Sequence, residues 1–78
     1  MSKLPALSSE QVIAALRTAG FRYAPKRGKG SHTALVGTDI AGRIRLVIIP
    51  NRRTIPVGTL LAILDQAGLT RDQFLDLL

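Results

Sequence analysis

The chain of 78 residues contains no cysteine and no tryptophan. Disulfide staples, thiolate metal sites and a cysteine nucleophile are thereby excluded. Phe21, Tyr23 and Phe74 are its only aromatic residues, so aliphatic side chains must build the core. There is one histidine, His32, and the five acidic residues are scattered. That set makes no recognisable metal site, and no metal or other cofactor is expected. Long apolar runs are also missing. Leu46-Val47-Ile48-Ile49 is flanked by Arg45 and Arg52 and falls far short of the roughly 20 residues a membrane helix needs. Met1 to Leu7 is too short, and too broken at Pro5, for the apolar part of a signal peptide. We read it as an N-terminal extension of a single domain over 1–78, with a cytoplasmic location and no membrane contact. A chain of this length buries about 60–65% of the surface it exposes when unfolded, so it holds one modest core. A large enzyme with separate cofactor and substrate domains is excluded.

Acidic residues are the other scarcity. Eleven Lys and Arg stand against five Asp and Glu, for a net charge of +6. The excess sits in the middle of the chain. Arg22, Lys26, Arg27, Lys29, Arg43, Arg45, Arg52 and Arg53 face Asp39 alone, while the rest is nearly balanced. A cationic middle on a near-neutral frame fits a polyanion, with nucleic acid the first candidate. An acidic protein or anionic lipid comes next, and a merely solvated basic surface is the plain alternative.

Ser8-Ser9-Glu10-Gln11 reads as a capping box opening a helix over about 9–19, with Gly20 at its end. Phe21 to Ala24 alternates like a short strand, with Phe21 inward and Tyr23 on the same face. Pro25 to Gly30 is a loop. Ser31 to Val36 and Arg43 to Ile49 predict two further strands, joined by turn residues 37–42. In the third strand, Ile44, Leu46 and Ile48 form the cleaner core face. The opposite face, with Arg43, Arg45, Val47 and Ile49, is expected to be open. Pro56 starts a helix whose stripe of Leu60, Leu61, Ile63 and Leu64 is core, and Gly68 ends it. Thr70-Arg71-Asp72-Gln73 repeats the capping box before a last short helix. The pattern predicts an α+β fold in two layers, with helices on one side of an antiparallel sheet.

His32 follows Lys29-Gly30-Ser31 at the start of a strand. An imidazole gives or takes a proton near neutral pH without special tuning. Beside lysines and a glycine-loosened loop, that chemistry suits phosphodiester cleavage. His32 would move the proton of a ribose hydroxyl or of the leaving oxygen. Lys26, Lys29 or a backbone N–H of Gly30 or Ser31 would stabilise charge on the phosphoryl oxygens. Arg27, Arg43, Arg45, Arg52 and Arg53 are candidates for phosphate contact, although a solvated strand edge explains Arg43 and Arg45 equally. Tyr23 is placed to stack a base or to pack on the sheet edge. Gly28-Lys29-Gly30-Ser31 matches neither a P-loop nor the glycine clamp of KH domains. An incidental surface histidine remains the bland reading of His32.

Taken together, these motifs resemble a known family. Gly30-Ser31-His32 lies on a strand shortly after a helix ending in Gly20-Phe21. Ile55-Pro56-Val57-Gly58-Thr59-Leu60 follows, and then Ile63-Leu64-Asp65-Gln66-Ala67-Gly68-Leu69. This arrangement resembles the HicA toxins of bacterial HicA–HicB toxin–antitoxin pairs, colinearly from about Ser8 to Leu78. The resemblance implies a double-stranded-RNA-binding-domain-like fold, in the order helix, three antiparallel strands, helix and short C-terminal helix. It also implies a metal-independent endoribonuclease that cleaves mRNA and halts translation, with His32 as its catalytic histidine. The implied partner is a HicB antitoxin that masks the active face. The chain departs from the family pattern in several places: Asn51 occupies a position where family members often carry histidine, Thr33-Ala34 stands where they often place a large or polar residue soon after the histidine, the basic loop is long, and Met1 to Leu7 is extra. The rivals to a nuclease are a non-catalytic RNA-binding module of the same shape and a domain that docks an acidic protein.

Overall fold

The computed structural model describes residues 3–24 and 30–78. Helix α1 spans Ser9–Thr18, strands β1, β2 and β3 span Arg22–Tyr23, His32–Thr38 and Ile44–Pro50, and helices α2 and α3 span Val57–Ala67 and Arg71–Leu75. The strands form one antiparallel sheet in the order β1-β2-β3, with the helices on one side. This is the α+β, double-stranded-RNA-binding-domain-like arrangement.

Local chemistry sets the helix ends. The Ser8 hydroxyl accepts from the Gln11 amide, and the Gln11 side chain accepts from the Ser8 amide. Thr70 and Gln73 do the same for α3. These reciprocal bonds satisfy N–H groups that have no partner within the helix. α1 stops before Gly20, whose φ of +97° is one that residues with a Cβ rarely adopt. α2 begins at the Pro56 carbonyl, which accepts from the Leu60 amide, and ends at the left-handed Gly68. Val12 and Leu16 of α1, Leu60 and Ile63 of α2 and Phe74 of α3 are all buried in one core with Leu35, Val47 and Ile49 of the sheet. Burying each of these side chains contributes about 1.5–3 kcal/mol.

The segment before α1 is part of this packing. Leu7 is buried, Leu4 packs on the core, and the Leu7 carbonyl accepts from the Ile55 amide at 2.8 Å. A second clamp joins Ser9 to the backbone N–H and C=O of Arg52.

The strands differ from expectation in two respects. β2 continues through Gly37 to Thr38 instead of ending at Val36. Gly37 is a close-approach glycine, not a turn glycine: a Cβ there would meet the ring of Phe21 at 2.8 Å. The faces of β3 are also the reverse of the expected ones. Val47 and Ile49 are 0% exposed and belong to the core, whereas Ile44 is 79% and Leu46 38% exposed. Leu46 pairs with Val36 and Ile48 with Ala34 on the side away from the helices. The reason lies at the hairpin turn. Arg45 shares the helix-side face with Val47 but sits at its rim, where its Nε donates to Asp39 at 2.8 Å beside Gly68. A charged residue is therefore accommodated on the core face, and counting apolar residues per face favours the wrong side.

Candidate active site

His32 opens the central strand and is paired with Pro50 at the end of the hairpin remote from its turn. Its side chain is exposed, so water and a large ligand can reach the ring. The Ser31 hydroxyl lies 3.0 Å from His32 Nδ1. The backbone around this pair is braced from β3. The Asn51 amide donates to the Ser31 carbonyl at 2.8 Å, and Asn51 Nδ2 donates to the Gly30 carbonyl at 3.2 Å. Thr33 Oγ1 in turn donates to Asn51 Oδ1 at 3.0 Å. One asparagine thus fixes the chain on both sides of His32.

The cations divide by position. Arg52 and Arg53 follow Asn51 directly and are exposed, next to a shallow cleft lined by Ser8, Ser9, Glu10 and Asn51. They share the histidine's end of the sheet with Gly30 and Ser31. Arg45 pairs with Gly37, five residues along β2 from His32, which at about 3.4 Å per residue is roughly 17 Å away. Its guanidinium is held by Asp39. Arg43 precedes β3, farther still from His32. The expectation that Arg43 and Arg45 decorate an open sheet face is therefore corrected: Arg45 lies on the helix side, and both stand at the opposite end of the hairpin from the imidazole. Lys26, Arg27 and Lys29 lie outside the described residues. Tyr23 also sits on the helix side, paired with Leu35, with the Arg17 guanidinium 4.8 Å from its ring centroid.

Among the described residues, Asp39 is the group with a clear electrostatic shift. The Arg43 amide, the Arg45 side chain and the Ala41 amide all donate to its carboxylate and hold it below the usual carboxylate range. It ties the β2–β3 turn and stands apart from His32. Among the described residues, no three His, Asp or Glu side chains cluster as metal ligands would. No described helix is long and apolar enough to cross a membrane.

Two features escaped the sequence. One is the bracing role of Asn51, which a reflection about Ala41 would have found, since that hairpin register sets Ser31 opposite Asn51. The other is the outer edge of β3. The Asp39 amide donates to the Arg43 carbonyl and the Asn51 amide to the Ser31 carbonyl, so alternation turns the polar backbone groups of Ile44, Leu46 and Ile48 away from β2. Of these, the Ile48 N–H is capped by Gln66 Oε1 at 2.8 Å.

The fold and site together define a small α+β domain with a braced, exposed imidazole at the start of its central strand and Arg52 and Arg53 at the same end of the sheet. The chain matches the family model described as the HicA toxin of bacterial toxin–antitoxin over residues 9–69, and it belongs to that family. Membership places it in a toxin–antitoxin system as the toxin and implies a cognate antitoxin. No curated protein matches the chain.

Proposed function

We propose that the chain is a metal-independent endoribonuclease that cleaves mRNA in the cytoplasm and so arrests translation. His32 is its general acid/base, and a HicB-type antitoxin is its inhibitor. The observation that carries this reading is the exposed imidazole, held by a hydrogen-bonded turn at the end of the sheet that Arg52 and Arg53 share. The 2′-oxygen of a ribose attacks the adjacent phosphorus as its proton passes to a base, and the 5′-oxygen leaves as it gains a proton. His32 supplies one of these transfers. Backbone amides at Gly30 and Ser31, with Lys26, Arg27, Lys29, Arg52 and Arg53, offset charge on the phosphoryl oxygens, and Arg43 reaches only phosphates farther along the strand. Family membership, the excess of cations and the absence of any second imidazole support the assignment.

The test is end-labelled RNA incubated with the purified chain and with His32→Ala, each with and without chelator. Cleavage by the wild type should survive the chelator, and His32→Ala should lose about 10²-fold or more. Equal cleavage by His32→Ala refutes the role. Retention of RNA with no new ends marks a non-catalytic RNA-binding module instead.

A further inference from the structure

We propose that Ser31 is the positioning residue of His32, accepting a hydrogen bond from Nδ1–H so that Nε2 is the ring nitrogen presented to the phosphodiester. The inference rests on the ribonuclease reading and adds to it the tautomer and the group that selects it. The Ser31 hydroxyl is 3.0 Å from Nδ1, so that nitrogen is engaged and Nε2 alone is left for substrate. A serine hydroxyl can donate or accept. If it donated to Nδ1, Nε2 would carry the proton in the neutral ring and could not act as a base. If it accepts, Nδ1 keeps its proton and Nε2 keeps a lone pair. Nε2 is then the atom of the one transfer that His32 makes: it takes the proton of the ribose hydroxyl, or, as part of an imidazolium, gives one to the leaving oxygen. Nδ1–H still donates to Ser31 throughout, so one hydrogen bond serves both protonation states.

The geometry also explains how so small a contact is held. Ser31 and His32 are neighbours, so their side chains meet only if the backbone between them is fixed. Asn51 fixes it through the Ser31 carbonyl, the Gly30 carbonyl and the Thr33 hydroxyl. A carboxylate in this role would hold the ring more strongly. A neutral hydroxyl adds no negative charge where a phosphodiester must approach.

The chain has one histidine, so the ¹⁵N spectrum of its imidazole is a single assignable pair of signals. In the wild type the neutral ring should show the Nδ1–H tautomer. Ser31→Ala should keep the wild-type melting temperature, lose that tautomer preference and lower kcat by about 5- to 10-fold, the worth of one net hydrogen bond, with KM changed less than twofold. Ser31→Thr should restore both. If Ser31→Ala leaves tautomer and kcat unchanged while His32→Ala is inactive, the positioning role is wrong and the histidine assignment stands. If His32→Ala stays active, the ribonuclease reading itself falls. Cleavage of a 2′-deoxy substrate by the wild type but not by Ser31→Ala would make Ser31 a nucleophile and overturn the proposal.

Discussion

Replacing Gly37 with alanine isolates one packing term. Gly37 lies within β2, next to its last residue, is not among the glycines with positive φ, and faces the buried ring of Phe21. At such a position the swap would by itself stabilise the fold by roughly 0.4–1 kcal/mol, because alanine has less freedom to lose on folding. Sterics reverse the sign. An added Cβ would lie 2.8 Å from two ring carbons of Phe21 and 3.0 Å from a third. These include Cγ, the ring's attachment point, so the ring cannot swing clear without moving its own Cβ. Phe21 is 4% exposed, which leaves little room to move. Overpacking of this kind costs about 1–3 kcal/mol. A domain of this size has roughly 4–12 kcal/mol in all. A loss of about 2 kcal/mol lowers the melting temperature by roughly 8–16 °C. Thermal melts of Gly37→Ala, Phe21→Leu and the double variant form a cycle. The alanine should cost little in the leucine background, with a coupling of about 1 kcal/mol or more. A drop under about 2 °C for Gly37→Ala, or an equal drop in both backgrounds, refutes the steric account.

Further outcomes follow from other contacts. Ile49→Ala should lose about 2–5 kcal/mol in urea unfolding, and Ile44→Ala on the face away from the helices less than about 0.5; the reverse order would restore the originally expected faces of β3. Asp39 is held below its usual value chiefly by the Arg43 amide, then by Arg45, so its contribution is present at neutral pH and fades as pH falls through the lowered value. Asp39→Asn should therefore melt lower than wild type at pH 7, with the gap closing below about pH 4; a gap independent of pH refutes the charge-based account. If ~4–6 phosphates of a single strand are contacted, log K for RNA should fall against log salt with a slope of about −3 to −4. The Arg52→Ala, Arg53→Ala double variant should flatten that slope by about 1.4, and an unchanged slope removes both arginines from the interface.

What was legible in the sequence was what is local. Ser8 with Gln11 and Thr70 with Gln73 announce helix starts because both partners of each cap lie three residues apart. Gly20 and Gly68 mark helix ends for the same reason. The order of elements and the exposed place of His32 at a strand start also follow from short-range pattern. What failed depends on contacts across the chain. Whether β3 buries its even or odd residues is set by where the helices land and by Asp39 receiving Arg45, neither visible in alternation alone. Gly37 reads as a turn until Phe21 is placed over it. The brace around His32 joins residues 18 and 21 positions apart and emerges only from the hairpin register.

The side of β3 away from the helices has a practical consequence for anyone handling the toxin without its antitoxin. Ile44 and Leu46 offer a greasy strip beside a rail of main-chain groups with no neighbouring strand among the described residues, the template on which like strands stack. Mutual repulsion from a net charge of +6 is what keeps copies apart. Concentrated salt shrinks the reach of that repulsion to about 3 Å at 1 M. The same condition that would loosen the proposed hold on RNA thus invites copies to clump, and titrations with salt need light scattering alongside to tell release from precipitation.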